Sequence, residues 1–184
     1  MKKIILTVIA ASSLLLYSTP SFALLNFSVG VPLSHTFTGK TTSGADMESD
    51  GSPSGYFIQI GVPLLPGLGM DSYKTKVKCE GCDGDLHVAT TMYNLYYLLP
   101  IPIVNLTIGL GTGKIQYYWG SVAGDDAAAT QFYTSIGVPI IPLFDIHLSY
   151  RSVSSKIEST SGRDKGEKDD VGGNVMGLGI GFNF

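Results

Sequence analysis

Along most of this chain, hydrophobic residues recur at every second position. Phe27, Val29, Val31 and Leu33 alternate with Ser28, Gly30, Pro32 and Ser34. Tyr56, Ile58, Ile60 and Val62 alternate with Phe57, Gln59 and Gly61. The period continues in Tyr73, Thr75 and Val77 against Lys74, Lys76 and Lys78, and in a segment of about residues 86–99. It returns in Leu106, Ile108 and Leu110, in Phe132, Thr134, Ile136 and Val138, and in Phe144, Ile146, Leu148 and Tyr150. It closes with Met176, Leu178, Ile180, Phe182 and Phe184 against Gly177, Gly179, Gly181 and Asn183. A period of two sends neighbouring side chains to opposite faces of a strand. Eight such segments predict eight strands, each with one apolar face.

The connections sort into two kinds that alternate. Three are short and proline-rich: residues 62–67, 99–103 and 138–142. Four are longer and polar: about residues 39–54, 79–85, 120–130 and 154–171. An internal repeat supports the hairpin unit, since Ile60-Gly61-Val62-Pro63-Leu64-Leu65-Pro66 reads almost like Ile136-Gly137-Val138-Pro139-Ile140-Ile141-Pro142. Proline cannot donate to a sheet ladder, so these residues belong at strand ends and turns. Pro32 is the exception, and predicts a rim position or a bulge in the first strand. The pattern predicts an all-β fold: an eight-stranded antiparallel up-and-down transmembrane β-barrel, with short turns on one side and longer loops on the other.

The N-terminus adds a destination. Lys2 and Lys3 precede an apolar stretch from Ile4 to Leu16, and Ser21-Phe22-Ala23 supplies small residues for cleavage. This is the pattern of a secretory signal peptide at residues 1–23, leaving a single barrel domain at 24–184. Without Lys2 and Lys3 the formal net charge moves from −3 to −5, which is no footprint for nucleic acid. Beyond the signal no apolar run reaches the roughly 20 residues of a membrane helix. A barrel crosses with alternating residues instead, and gives only a weak hydropathy signal.

The final alternation, ending in Ile180, Phe182 and Phe184, resembles the closing strand of a bacterial outer-membrane barrel. There the terminal aromatic is part of the signal read by the barrel-assembly machinery. Aromatic residues near the loops (Tyr56, Phe57, Tyr117, Tyr118, Trp119, Phe132, Tyr133) and near the turns (Tyr96, Tyr97, Phe144, Phe182, Phe184) fit two interfacial girdles. Over its whole mature length the chain resembles the small outer-membrane β-barrel superfamily, which includes the OmpA transmembrane domain, OmpX, OmpW and the opacity-type proteins. The resemblance implies a Gram-negative outer membrane, with its lipids and lipopolysaccharide as surroundings. Members of the group are adhesins, envelope-stabilising proteins, narrow passages for hydrophobic molecules, or lipid-modifying enzymes.

Several residues invite chemistry. His147-Leu148-Ser149 resembles the His-x-Ser of PagL-like lipid A deacylases, where a histidine activates a serine. The family's following asparagine is replaced here by Tyr150, and the apolar phase of Ile146, Leu148 and Tyr150 sends His147 and Ser149 to the lumen. Cys79 and Cys82 share one C-x-x-C in a loop, with no second pair to build a structural zinc site. In an oxidising compartment the expected outcome is a loop-pinning disulfide, with metal binding or free thiols as alternatives. Gly109 to Lys114 fails as a phosphate loop, since Ile108 stands where a glycine is needed and Ile115 where a hydroxyl is needed. These glycines, with Gly177, Gly179 and Gly181, read as small lumen positions facing large side chains, and the phase after Gly113 suggests a bulge. Lys74, Lys76 and Lys78 are expected to face inward with Arg151, in a charge network whose acidic candidates are Asp71, Asp85, Asp145 and Glu158.

No cofactor is implied. The expected role is non-enzymatic: a surface-exposed barrel with a structural, interaction or adhesive function through four loops and an extracellular partner. The alternatives are a narrow carrier for small hydrophobic molecules and a lipid hydrolase using Ser149 and His147.

Overall fold

The computed structural model describes residues 25–39, 46–62, 65–78, 86–101, 104–120, 122–141, 143–158 and 168–184. The expected signal segment and the Cys79–Cys82 pair lie outside the described residues. The strands are β1 (Asn26–Phe37), β2 (Ser54–Gly61), β3 (Pro66–Val77), β4 (Leu86–Ile101), β5 (Val104–Trp119), β6 (Val122–Ile141), β7 (Phe144–Glu158), β8 (Lys168–Asp170) and β9 (Gly173–Asn183). Every pairing is antiparallel, and from β1 to β7 each strand pairs with the next in sequence. Short β8 prolongs β9 along β7, in the same register, with the Val171 N–H donating to the Ser155 carbonyl at 3.1 Å between them. The wall is therefore a closed barrel of eight staves.

Closure rests on β9, which pairs with β7 on one side and β1 on the other. The seam runs to the last residue: the Leu25 N–H donates to the Phe184 carbonyl at 3.0 Å, and the Phe184 N–H donates back at 2.9 Å. Both sheet edges disappear in this way, which removes two rows of unpaired backbone groups from an apolar surround. Phe182 stacks among Phe27, Phe144 and Phe184 at the turn end, with ring centroids 4.8–6.4 Å apart.

Two irregularities follow from particular residues. The β1–β9 register shifts between Pro32 and Ser34, so Leu33 is the extra residue of a bulge beside Pro32. Leu33 and Ser34 both point outward, and His35, not Ser34, takes the next inward position. The β1–β2 ladder is also short. It covers only Asn26↔Gly61 to Gly30↔Phe57, and Val31–Phe37 pair with β9 but with no residue of β2.

The loop end departs from the sequence expectation. The polar segment 120–130 is not a loop: β5 runs to Trp119 and β6 starts at Val122, turning at Gly120 with φ +58°. The left-handed backbone of that turn suits glycine. The segment 154–171 is likewise partly strand, in β7 and β8. Nor does the face slip after Gly113. The β4–β5 register is uninterrupted, and Ile115 and Tyr117 share the inward phase of Gly109, Gly111 and Gly113. The register shift lies farther out, between Gln116 and Tyr118 on the β6 side.

What changes along the barrel is the chemistry of the two faces. Toward the turn end, outward positions are apolar: Ile60, Leu68, Leu95, Leu110, Ile136, Leu148 and Leu178 are all 44–67% exposed. This belt is edged by outward-facing Tyr56, Tyr93 and Tyr150. Toward the loop end the same outward rows become Thr36, Ser72, Lys74, Thr91, Thr112, Lys114, Ser152, Ser154 and Asn174. The inside inverts in step. Beneath the belt the lumen is polar; beyond it Phe37, Met47, Val77, Val88, Met92, Ile115, Ala129, Val153 and Val171 form one buried apolar cluster. A lower tier is built to face lipid and an upper tier to face water.

Candidate functional site

The lumen is the only enclosed environment the fold creates among the described residues, and period-two alternation determines which residues enter it. Phe57 and Gln59 come from β2, and Asp71, Tyr73 and Thr75 from β3. Asn94 and Tyr96 come from β4, Gln131 and Tyr133 from β6, and Asp145, Ser149 and Arg151 from β7. Glycines on adjoining and nearby strands make the room. A Cβ on Gly177 would strike the Phe57 ring, one on Gly179 the His147 ring, and one on Gly109 the Tyr133 ring. The expected pairing of small lumen positions with large facing side chains is therefore what the structure holds.

The lumen has three layers. At mid-height Arg151 and Asp71 form a buried ion pair, with 2.9 Å from Nε to Oδ2 and 3.4 Å from Nη2 to Oδ1. Both side chains are at most 2% exposed. Charges so far from water need compensation on every side. Asp71 Oδ2 also accepts from Asn94 Nδ2 at 2.9 Å and Gln131 Nε2 at 2.7 Å. The guanidinium donates from Nη1 to Ser149 Oγ at 2.5 Å and lies 3.4 Å over the Phe57 ring. Below it, Gln59 Nε2 donates to Tyr133 Oη at 2.8 Å, and Ser28 Oγ donates to Gln59 Oε1 at 3.1 Å.

At the turn end a polar vestibule is lined by Asn26, Ser28, Gln59, Asn105, Ser135, Asp145 and His147, with about 20 Å³ of space for water. That is room for roughly one water molecule. Asp145 is held there by Asn105 and Asn183, which donate at 2.9 and 3.0 Å, and by His147 Nδ1 at 3.3 Å. At the loop end the apolar cluster seals the lumen. Met47 enters it from residues 46–50, a segment that pairs with the top of β3 through Ser49↔Val77.

The candidate residues separate accordingly. Asp145 and Arg151 do face the lumen, but in different layers, and Asp71 is the carboxylate that pairs with Arg151. Lys74 and Lys76 differ from expectation: Tyr73, Thr75 and Val77 take the inside of β3, and the lysines stand on its outer face. Lys76 pairs there with Asp50 at 3.4 Å, and the Lys74 ammonium sits 5.2 Å over the Tyr118 ring. Four residues assigned to the aromatic girdles, Phe57, Tyr96, Tyr117 and Tyr133, point inward. His147 and Ser149 face the lumen as their phase required, yet they are not joined. Ser149 donates to the Gly177 carbonyl at 3.2 Å and accepts from Arg151, while His147 turns to Asp145. A serine so engaged has no base to activate it. Among the described residues, no cluster of three or more His, Cys, Asp or Glu could hold a metal ion. Sequence reasoning missed Gln59, Asn94 and Gln131, whose only signal was their inward parity.

Neither a family model nor a curated protein sequence matches the chain. Solved structures do. The outer membrane protein OprG from Pseudomonas aeruginosa is 12% identical, with a TM-score of 0.52 over 88% of this chain and 97% of that one. Neisserial surface protein A is 13% identical, with a TM-score of 0.48 over 87% and 95%. Ail, the attachment invasion locus protein of Yersinia pestis, is 17% identical, with a TM-score of 0.46 over 87% and 97%. The OprG likeness shows the fold that the closed wall and apolar belt describe, an eight-stranded β-barrel of the kind found in small outer-membrane proteins. Among the described residues no helix is long and apolar enough to cross a membrane, and the apolar outward belt lies on the strands.

Proposed function

We propose that this protein is a closed, non-conducting and non-enzymatic barrel whose role is structural or interactive, exerted through the rigid water-facing tier and loops beyond the membrane. The observation that carries the reading is the double closure of the lumen. The Asp71–Arg151 layer fills it at mid-height, and the apolar cluster around Val88, Met92 and Ile115 fills it above. An eight-stranded barrel has an interior just wide enough for its own side chains. What remains available to a partner is the outside of the upper tier. The test is reconstitution of the full chain in planar bilayers and in liposomes. No steady conductance and no sugar-driven swelling are expected; a reproducible open state would overturn the reading.

One observation favours a carrier for small hydrophobic molecules as a second reading. The β1–β2 ladder stops at Gly30↔Phe57, beside the Leu33 bulge, so the wall is least tied there. Behind it lie Phe57 and Tyr73, which pack edge to face at 6.0 Å. Saturable binding of an apolar fluorescent probe, lost on narrowing this seam, would support the carrier. Absence of saturable binding would remove it.

A further inference from the structure

The lysines that leave the lumen form a feature of their own. Lys74 and Lys76 run in file up the outer face of β3, Lys78 continues the row just past the strand's end, and Lys114 stands two strands away on β5. Cross-strand register ties them together. Lys74 pairs with Ala89, which pairs with Gln116; Ser72 pairs with Thr91, which pairs with Lys114. Small residues on β4 thus floor a shallow depression, about 10 Å across from β3 to β5 at ordinary strand spacing. Lys74 stands on one side and Lys114 on the other, with the Ser72 and Thr91 hydroxyls in the row of Lys114, two residues below Lys74.

The distribution is lopsided. The corresponding outward positions of β1 and β9 carry Ser34, Thr36 and Asn174, with no cation. Just above the belt the lysines gather on one sector, whereas the exposed Lys156 of β7 stands farther out, six residues beyond Tyr150. Height matters as well. Lys74 lies four residues above Met70, and Lys114 four above Leu110, the last apolar outward residues of their strands. Four residues span about 13 Å of strand, or roughly 10 Å of height at the tilt of a membrane barrel. The headgroup layer occupies about 5–8 Å beyond the hydrocarbon on each side. A lysine stem bends its ammonium down by enough to reach that layer.

We propose that the depression between Lys74 and Lys114 binds the phosphate group of a phosphorylated, multiply acylated outer-leaflet lipid, whose chains descend along Leu68, Tyr93, Leu95 and Leu110. The two ammonium groups supply the charge, and Ser72 and Thr91 supply neutral donors. Lys114 is paired with Asp126 at 3.6 Å, with both side chains more than half exposed. Such a surface pair is weak and exchanges readily for a phosphate. The Lys74 contact with the Tyr118 ring holds the second ammonium over the same face without neutralising it.

The test uses the full chain in phosphatidylcholine bicelles, with bisphosphorylated lipid A added and retention read by native mass spectrometry. The double variant Lys74→Gln/Lys114→Gln should retain lipid A about thirty-fold more weakly, the effect of removing two interfacial lysines. Lys78→Gln, just past the end of the same strand and roughly 10 Å farther from the membrane at the barrel's tilt, should behave as the unaltered protein. Dephosphorylated lipid A should be retained as poorly as lipid A is by the double variant. Heat-modifiable migration checks that each variant is folded. Equal retention by the double variant, equal retention of dephosphorylated lipid A, or equally strong binding of inorganic pyrophosphate would each overturn the proposal.

Discussion

The two tiers of this barrel share the same strands but have opposite chemistry. On β5, Ile108 and Leu110 face outward while Gly109 and Gly111 face the lumen. A few residues on, Thr112 and Lys114 face outward while Ile115 faces in. Nothing in the backbone changes between them: the β4–β5 register runs unbroken from Trp119 to Val104. The medium changes. A strand in lipid lowers its free energy by turning apolar side chains out, and a strand in water by turning them in. The inversion thus marks on the chain where the membrane ends. It also divides the lumen into a hydrogen-bonded ionic lower part and an apolar upper part.

That contrast can be stressed where it is strongest. Replacing Arg151 by Met leaves the Asp71 carboxylate buried without its partner, and should cost about 3–5 kcal/mol in reversible urea unfolding from lipid. Adding Asp71→Leu should recover only part of the loss, since it removes the buried charge but leaves the Asn94 and Gln131 amides without their acceptor. If the single variant unfolds like the parent, the lower tier is not held by its ion pair. In the upper tier the vulnerable element is packing. Met92→Ala opens a cavity among Val88, Ile115 and their neighbours and should cost roughly 2–5 kcal/mol in the same measurement. A negligible loss would mean that the upper cluster is loosely packed. The smallest effect is expected at Ala89→Asn, outward on the upper part of β4, where a solvated amide should shift stability by at most about 0.5 kcal/mol. A large loss there would place Ala89 in lipid and move the boundary outward.

Much of this architecture was legible in the sequence. Period two gave the eight staves, the proline-rich segments marked where strands end although Pro100 and Pro139 still pair within β4 and β6, and Pro32 announced the bulge at Leu33. Arg151 was legible because it is a lone cation on the inward parity of β7, and Asp71 stood among its candidate partners. The lysines were misplaced for a physical reason. Polar residues were taken to mark the lumen, which holds only within the membrane. Parity carried the answer: Leu68, Met70, Ser72, Lys74 and Lys76 share one face of β3, so lysines continuous with a lipid-facing row must point outward. Tyr96 and Tyr133 were misread in the same way, by position along the strand instead of by face. The hydrogen bonds of Gln59, Asn94 and Gln131 were not legible, because they depend on which strands face each other across the lumen. The β1–β2 seam was equally hidden, being a property of register.

The measurement that tests the two-tier account most directly is a lysine scan of the outward face of β5, with unfolding free energy read in lipid vesicles. Leu106→Lys, Ile108→Lys and Leu110→Lys should cost about 2–4 kcal/mol near the middle of the belt, less toward its edges, and Gln116→Lys close to nothing. A sharp fall in cost between Leu110 and Gln116, next to the native Lys114, is the expected result. A cost that stays uniform along the strand, or that rises toward Gln116, would contradict the account.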